Sequence, residues 1–249
     1  TETRTYTLTS PCMASTFNYE GKTHLNLPNP MSIDKSVLRT SLIPSMLNVY
    51  MYNKARKVEN MFLYEISKTY DANYEEESKI AILMHGDYII NEATKTSIKC
   101  DFYLIKGIVE DLLDYLGFKD RYHFVKSEID SMHPKRSAKI YLDNIFLGII
   151  GEVHPEVCKD EMYVCEISLN KLMREIEPLK YVAASIYPRI VKDVAFVVDK
   201  SLPVEEIMKE IKIHGKGLLV DINIFDIYTG PNVLENEKSV AFKLTFQSS

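Results

Sequence analysis

The amino-acid sequence predicts an α+β protein built from two domains. Short β-prone runs and amphipathic helical stretches follow one another irregularly and without a repeat up to residue 183, and the order beyond it becomes strand, helix, strand, strand. The 249 residues are 46% hydrophobic and 26% charged, which is typical of a globular protein with its own core. We therefore expect one domain over residues 1–183 and a second, incomplete domain over residues 184–249.

The first domain is predicted to hold a sheet covered by helices. Its clearest helix begins at Asp101, a good N-cap residue, carries an apolar stripe at helical spacing and stops before Gly117. Two β-prone runs joined by Asp143 and Asn144 predict a hairpin, because both residue types tolerate positive φ. The expected elements are a strand at 3–8, a helix at 44–57, strands at 60–66 and 79–85, a helix at 101–116, a hairpin of 138–142 and 145–153, a strand at 161–167 and a short helix capped by Ser168.

The second domain is predicted to be a β-α-β-β unit, with strands at 191–199, 218–228 and 238–246 and a helix at 203–214. Apolar residues alternate with small or polar ones along the last strand, which predicts one apolar face. This order is the first part of the ferredoxin-like fold, β-α-β-β-α-β. Because the chain opens on a β-prone run without a start methionine, we expect its first residue to be an interior point of a longer chain. Because it stops after the third strand, we expect the last domain to be either cut short or disordered at its end.

The charge and the cysteine content exclude several classes of protein. There are 30 Lys and Arg residues against 35 Asp and Glu, so the chain as a whole lacks the basic surface of a general nucleic-acid binder and any RNA contact must be local. Beyond residue 187 there are 8 basic against 9 acidic residues. The four cysteines are dispersed, which favours free thiols and a cytoplasmic location. No apolar run approaches the ~20 residues of a membrane span.

No motif of a hydrolase or a phosphate loop is present. His133, His154 and Glu152 form the best candidate trio for a metal site, but each histidine precedes a proline and turn-forming His-Pro is the preferred interpretation. The acidic run at 75–77 is interpreted as a solvated loop tip. The glycine pair around Lys216 predicts a turn rather than a phosphate site.

Eight ordered motifs resemble the β subunit of bacterial phenylalanyl-tRNA synthetase, and they cover nearly the whole chain. Two positions depart from the family pattern: Lys135 replaces a glycine and Lys192 replaces an arginine. The motifs are N-P-M-S at 29–32, V-L-R-T-S-L-I-P at 37–44, F-L-Y-E-I at 62–66, D-F-Y with K-G at 101–107, H-P-x-x-S-A at 133–138, G-E-V-H-P at 151–155, Y-P with K-D at 187–193, and the strand at 239–247.

The resemblance implies a class II synthetase-like antiparallel sheet with helices, followed by a partial ferredoxin-like anticodon-binding domain. The first domain would be a catalytic-like module without catalytic residues, because the strand at 64–71 lacks the arginine that holds the α-phosphate of ATP. No cofactor is expected in this chain. In the complete (αβ)₂ enzyme, ATP, Mg²⁺ and phenylalanine would be bound by the α subunit.

The expected function is therefore that of a non-catalytic part of a phenylalanine–tRNA ligase, which charges tRNA(Phe) with phenylalanine. This part would support the α subunit and contact the tRNA anticodon, without membrane association. Candidate RNA-binding residues are Arg189, Lys192, Tyr228 and Lys243, since phosphates need cations and unstacked bases need aromatic partners. Two alternatives stay open: Phe225, Tyr228 and Phe246 are also typical core residues, and the chain could be a pure protein-interaction scaffold.

Overall fold

Two units make up the chain in the computed structural model, Thr1–Leu179 and Lys180–Ser249. The structure describes residues 1–176, 181, 183–231 and 233–248. In the first unit the elements are β1 (Leu8–Thr9), α1 (Pro11–Thr16), a short 3₁₀ helix (Ile33–Lys35), β2 (Val37–Leu38), α2 (Ile43–Lys54), β3 (Met61–Tyr70), β4 (Glu76–His85), β5 (Asp87–Asn91), β6 (Thr96–Lys99), α3 (Phe102–Tyr115), β7 (Tyr122–Lys126), β8 (Met132–Leu142), β9 (Ile145–Val153), β10 (Tyr163–Ser168) and α4 (Leu169–Arg174).

A six-stranded antiparallel sheet in the order β3-β4-β10-β9-β8-β7 forms the frame of the first unit. Apolar side chains project from both faces of this sheet. One face packs against α2 through residues such as Leu47, Leu83 and Val164, and the opposite face packs against α3 through residues such as Val109, Ile140 and Cys165. Burial on both faces explains why β4 and β10 are apolar along most of their length.

The predicted helix caps and the predicted hairpin turn are confirmed. The Asp101 side chain accepts a hydrogen bond from the Leu104 amide at 2.7 Å and caps α3, and Gly117 follows that helix with φ +89°. Asp143 has φ +52° in the β8–β9 turn, as the hairpin requires. Ser168 caps α4. The helix expected at 44–57 is α2, which ends three residues earlier.

The strand expected at 3–8 is largely wrong. Only Leu8–Thr9 forms a strand, paired with β2, while the residues before it meet the edge of β3 through a few backbone bonds and an isolated bridge from Glu2 to Tyr64. The β5–β6 hairpin was not predicted. Its side chains are mostly exposed, so it lacks the apolar alternation by which a half-buried strand is found.

The second unit is confirmed as a β-α-β-β arrangement, with β11 (Ile190–Asp199), α5 (Val204–Gly215), β12 (Leu219–Tyr228) and β13 (Glu237–Phe246). The strands form an antiparallel sheet in the order β11-β13-β12. Val240, Phe242 and Leu244 of the central strand are buried against the apolar side of α5. Among the described residues of this unit no helix lies over the other face of the sheet, which we call the open face. None of the helices in the described residues is long and apolar enough to cross a membrane.

Candidate functional site

The centre of the α2-covered face in the first unit holds a buried carboxylate rather than an apolar side chain. Glu166 on β10 is 0% exposed. One of its oxygens accepts hydrogen bonds from the Leu42 amide at 2.6 Å and the Ser41 hydroxyl at 3.0 Å. The other accepts from the Tyr19 hydroxyl at 2.5 Å and lies 3.3 Å from the Lys79 ammonium. The segment that leads into α2 is thereby fixed to the middle of the sheet.

Lys79 on β4 is the matching buried cation, 1% exposed. Its ammonium donates to Glu20 at 2.9 Å, to the Tyr19 hydroxyl at 3.1 Å and to the Thr40 carbonyl at 3.3 Å. Further ion pairs extend the group toward the surface, among them Lys22 with Glu77 at 2.7 Å and Lys171 with Glu20 at 3.6 Å. We call this set the charge cluster; it comprises Tyr19, Glu20, Lys22, Glu77, Lys79, Glu166 and Lys171.

The interpretation of the acidic run at 75–77 as a loop tip is wrong for Glu77. That residue lies in β4 and points to the same face as Lys79, two positions further along the strand, with its side chain only 14% exposed. The run therefore starts as a surface turn and ends inside an ion-pair network.

Several groups of the charge cluster have pKa values that are shifted away from pH 7. Burial alone would raise the pKa of Glu77, but hydrogen bonds from Lys22 and Ser168 and the charge of Lys79 lower it to about 2. Burial opposes the charge of Lys79, yet Glu166, Glu20 and Glu77 raise the pKa of that ammonium. Burial, followed by the charge of Glu166, raises the pKa of Tyr19 well above its usual range. A general acid or base works best with a pKa near the operating pH, so these groups support the fold rather than move protons.

The residues of this face do not fit ATP. The three lysines are matched by three glutamates within the charge cluster, and neither β3 nor β4 carries an arginine. A triphosphate would have to displace the glutamates that already pair with these lysines, and separating the buried pair of Lys79 and Glu166 is costly. We therefore derive no adenylation step from this face.

The three side chains of the candidate metal site, His133, His154 and Glu152, contact other groups of the protein. The Nδ1 atoms of His133 and His154 each accept a hydrogen bond from the amide two residues ahead, at 3.2 Å. His154 precedes a turn, as expected. The turn expected at His133 is wrong, because this residue lies in β8, where the register shifts between Met132 and Ser137. Glu152 is buried, with a carboxylate oxygen 2.6 Å from Arg136 Nε. No group of three or more His, Cys, Asp or Glu side chains in the described part of the chain could hold a metal ion.

The strand register of the second unit separates the four candidate RNA-binding residues. Lys243 on β13 lies opposite Asp193 and Asn223, and its direction is opposite to that of the buried Phe242 and Leu244, so it points to the open face. Lys192 pairs with Leu244 and therefore points to the side that carries α5. Arg189 precedes β11 and its Nε lies 3.3 Å from the Gln247 side-chain oxygen.

Tyr228 belongs to the open face at the far end of the sheet. It pairs with Ser239, eight residues before Gln247, so it lies roughly 27 Å from Arg189 along the strands. Its ring is 43% exposed, and its hydroxyl donates to the Pro231 carbonyl at 3.0 Å. Tyr228 and Lys243 thus share the open face, whereas Lys192 points to the side of α5 and Arg189 lies at the end of the sheet that is far from Tyr228.

Sequence reasoning missed two features that the structure brings into view. Phe225 is 54% exposed and lies under the Lys243 ammonium, 5.7 Å from the ring centre, so it is a surface residue and not part of a core. Lys79 and Glu166 were also missed. A single charged residue within an apolar strand is the signal that could have found them, since such a charge must be paired.

The two units match two models of protein families. Residues 1–169 match the phenylalanyl tRNA synthetase beta chain CLM domain, and residues 185–249 match the ferredoxin-fold anticodon binding domain. The phenylalanine–tRNA ligase beta subunit of Bacillus subtilis is 36% identical over 97% of this chain, and that of Listeria monocytogenes is 36% identical over 98%. The chain spans about a third of the length of these relatives, 31% and 32%.

A solved structure carries the same fold at low sequence identity. The crystal structure of pyrrolysyl-tRNA synthetase from Desulfitobacterium hafniense superposes with a TM-score of 0.51 and 10% identity, over 69% of this chain and 61% of that one. Fold and site together define a class II synthetase-like antiparallel sheet joined to a ferredoxin-fold anticodon-binding domain. The chain belongs to the phenylalanyl-tRNA synthetase beta chain family, as the ordered motifs indicated.

Proposed function

We propose that this chain acts as a non-catalytic part of a phenylalanine–tRNA ligase, supporting the α subunit and contacting the anticodon of tRNA(Phe). The match of its two units to the beta chain CLM domain and to an anticodon-binding domain carries the proposal. ATP and Mg²⁺ would be held by the α subunit, in an (αβ)₂ assembly in the cytoplasm. The charge cluster supports this division of labour, because it fills the sheet face of the first unit with its own paired side chains.

The open face of the second unit is the surface that best suits RNA. It presents exposed rings at Phe225 and Tyr228 of β12 and the ammonium of Lys243 on the neighbouring strand β13. Bases stack on such rings, and cations bind the phosphates beside them. Lys243 has no carboxylate within 4.0 Å among the described residues, although Asp193 lies opposite it in the register.

Replacing Lys243 by alanine is expected to weaken the binding of tRNA(Phe) several-fold and to reduce the slope of log K against log salt by about 0.7, the value for one phosphate contact to a single strand. The binding of labelled tRNA(Phe) and of a non-cognate tRNA would be measured across a salt series, with and without the α subunit. Lys209→Ala is the matched control, since Lys209 lies on α5 and is paired with Glu205 at 3.1 Å. An equal effect of both variants would remove the open face from the RNA site.

A groove in the first unit favours the scaffold role. Two adjoining cavities of about 500 and 400 Å³ lie between the N-terminal segment and α2 and share Val49. Tyr6 and Tyr52 line the larger one and are exposed, and Arg56 stacks on the Tyr52 ring at 3.4 Å. Tyrosine and arginine are enriched at the centres of protein interfaces. Since the relatives are named beta subunits, we assign this groove to the α subunit.

Tyr52→Asp is expected to weaken association with the α subunit by at least tenfold, because a charged side chain would be buried in an apolar contact. Tyr115→Asp provides the control, since Tyr115 is also an exposed tyrosine near the end of a helix, but on α3. Association of purified subunits would be followed by analytical ultracentrifugation. If Tyr52→Asp and wild type associate equally, the groove is not the interface. If tRNA binds only in the presence of the α subunit, the chain is chiefly a scaffold.

A further inference from the structure

Three basic residues of the second unit lie at one end of its sheet, although the basic and acidic residues of the unit nearly balance in number. Arg189, Lys192 and Lys216 gather where β11 begins, β13 ends and β12 begins. We call these three residues the basic end. The opposite end of the sheet carries most of the acidic residues, namely Asp199, Glu205, Glu206, Asp226, Glu235 and Glu237.

Backbone contacts hold the basic end together across the three strands. Ile190, Phe246 and Leu219 form one row of the sheet. Just beyond that row, the Gln247 amide donates to the Leu218 carbonyl at 2.8 Å, and the Gln247 side chain meets Arg189. Neighbouring strands are about 4.8 Å apart, so Arg189 and the turn before β12 are separated by only a few strand widths.

The turn that carries Lys216 has a fixed conformation. Lys216 itself is left-handed, with φ +46°, and Gly217 follows with φ +66°. A Cβ atom at Gly215 would lie 2.6 Å from that of Leu219, so glycine is required there for the helix end to approach β12. The two glycines therefore fix Lys216 at the tip of the turn between α5 and β12.

Three lysines outside the basic end make close contacts with oxygen atoms of the same unit. Lys200 donates to the Glu235 carbonyl at 2.6 Å, and Lys238 donates to the Leu202 carbonyl at 2.6 Å. Lys209 is paired with Glu205. Arg189 meets the side-chain oxygen of Gln247, and the described residues place no carboxylate within 4.0 Å of any cation of the basic end.

The acidic residues nearest to the basic end do not neutralise it. Asp221 lies on β12 and accepts a hydrogen bond from the Asn223 side chain at 2.6 Å, and Asp193 points to the open face opposite Lys243. Lys192 points to the other side of the sheet from Asp193, its neighbour in sequence. The cations of the basic end therefore keep their charge available for an external anion.

We propose that the basic end binds the sugar–phosphate backbone of tRNA, as a second contact separate from the open face. The proposal rests on the tRNA-binding role given above and adds a surface to it. Tyr228 is roughly 27 Å away along the sheet, so a base that stacks there and a phosphate at Arg189 belong to different nucleotides. Backbone contacts of this kind position the RNA without reading its sequence.

The triple variant Arg189→Gln/Lys192→Gln/Lys216→Gln tests this contact in the full chain. We expect it to lower the salt slope of tRNA(Phe) binding by about 2, at about 0.7 for each of three phosphate contacts. Its affinity should fall by a similar factor for tRNA(Phe) and for a non-cognate tRNA, so that the preference for tRNA(Phe) is retained. The probes are the two tRNA transcripts, and the α subunit is present at saturation.

The control for the triple variant is Lys209→Gln, which also neutralises a lysine of this unit but should leave the slope within error of wild type. Single Lys216→Gln should lower it by about 0.7. If wild type binds tRNA and the triple variant shows the same salt slope, the proposal for the basic end is overturned, but the tRNA-binding role of the chain is not. Weaker association with the α subunit at unchanged tRNA binding overturns the proposal too, and assigns the surface to a protein contact. Failure of wild type to bind tRNA at all overturns the tRNA-binding role and this contact with it.

Discussion

Replacing Lys79 by methionine is expected to destabilise the first unit by about 3–5 kcal/mol, the cost of leaving a buried charge without its partner. Glu166 would keep its three neutral donors but lose the buried ammonium 3.3 Å away. Glu20 would lose a hydrogen bond from the same ammonium. The free energy of unfolding would be measured by urea denaturation at pH 7, followed by circular dichroism.

Lys68→Ala is the matched control for this experiment. Lys68 lies on β3 and also pairs with a glutamate of β4, Glu76, but both side chains are about half exposed. Exposed pairs contribute about 0–1 kcal/mol, so the control should change the free energy of unfolding little. Adding Glu166→Gln to Lys79→Met should restore part of the loss, because the amide oxygen can still accept from the Leu42 amide without carrying a charge. A loss below 1 kcal/mol in Lys79→Met would show that the buried pair does not support the fold.

The parts of the fold that could be predicted from the sequence are those with short-range causes. The stripe and cap of α3, the positive φ at Asp143 and the serine cap of α4 each depend on a few neighbouring residues. The same holds for the β-α-β-β order of the second unit. The charge cluster has no such local cause, since Lys79 meets Glu20 and Glu166 across 59 and 87 positions of sequence.

The face of the second sheet to which each residue of β12 points could not be predicted from the sequence, because the strand contains a β-bulge. Simple alternation along β12 would place Tyr228 on the same face as Ile222 and Ile224, which is the side of α5. The register shifts between Ile224 and Asp226, however, so that Ile227 lies opposite the buried Val240 and Tyr228 opposite Ser239. A β-bulge of this kind exchanges the faces of all residues beyond it. The candidate RNA-binding residues could therefore be named from the sequence, but the faces of the sheet on which they lie could not be predicted.

Tyr228→Ala is expected to weaken the binding of tRNA(Phe) by roughly 5- to 150-fold, because a base stacked on an aromatic ring contributes about 1–3 kcal/mol. Tyr228→Phe keeps the ring and loses only the hydrogen bond to the Pro231 carbonyl, so it should bind nearly as well as wild type. If both variants bind equally weakly, the hydroxyl and its turn matter rather than the ring.

The salt dependence distinguishes Tyr228 from the cations of the same unit. Loss of a stacking ring removes no phosphate contact, so Tyr228→Ala should shift log K without changing its slope against log salt, whereas Lys243→Ala should lower that slope. The two losses should be approximately additive if the ring and the ammonium contact different groups of the RNA. A changed slope in Tyr228→Ala would mean that the open face binds the backbone alone, and that the tyrosine only supports the turn after β12.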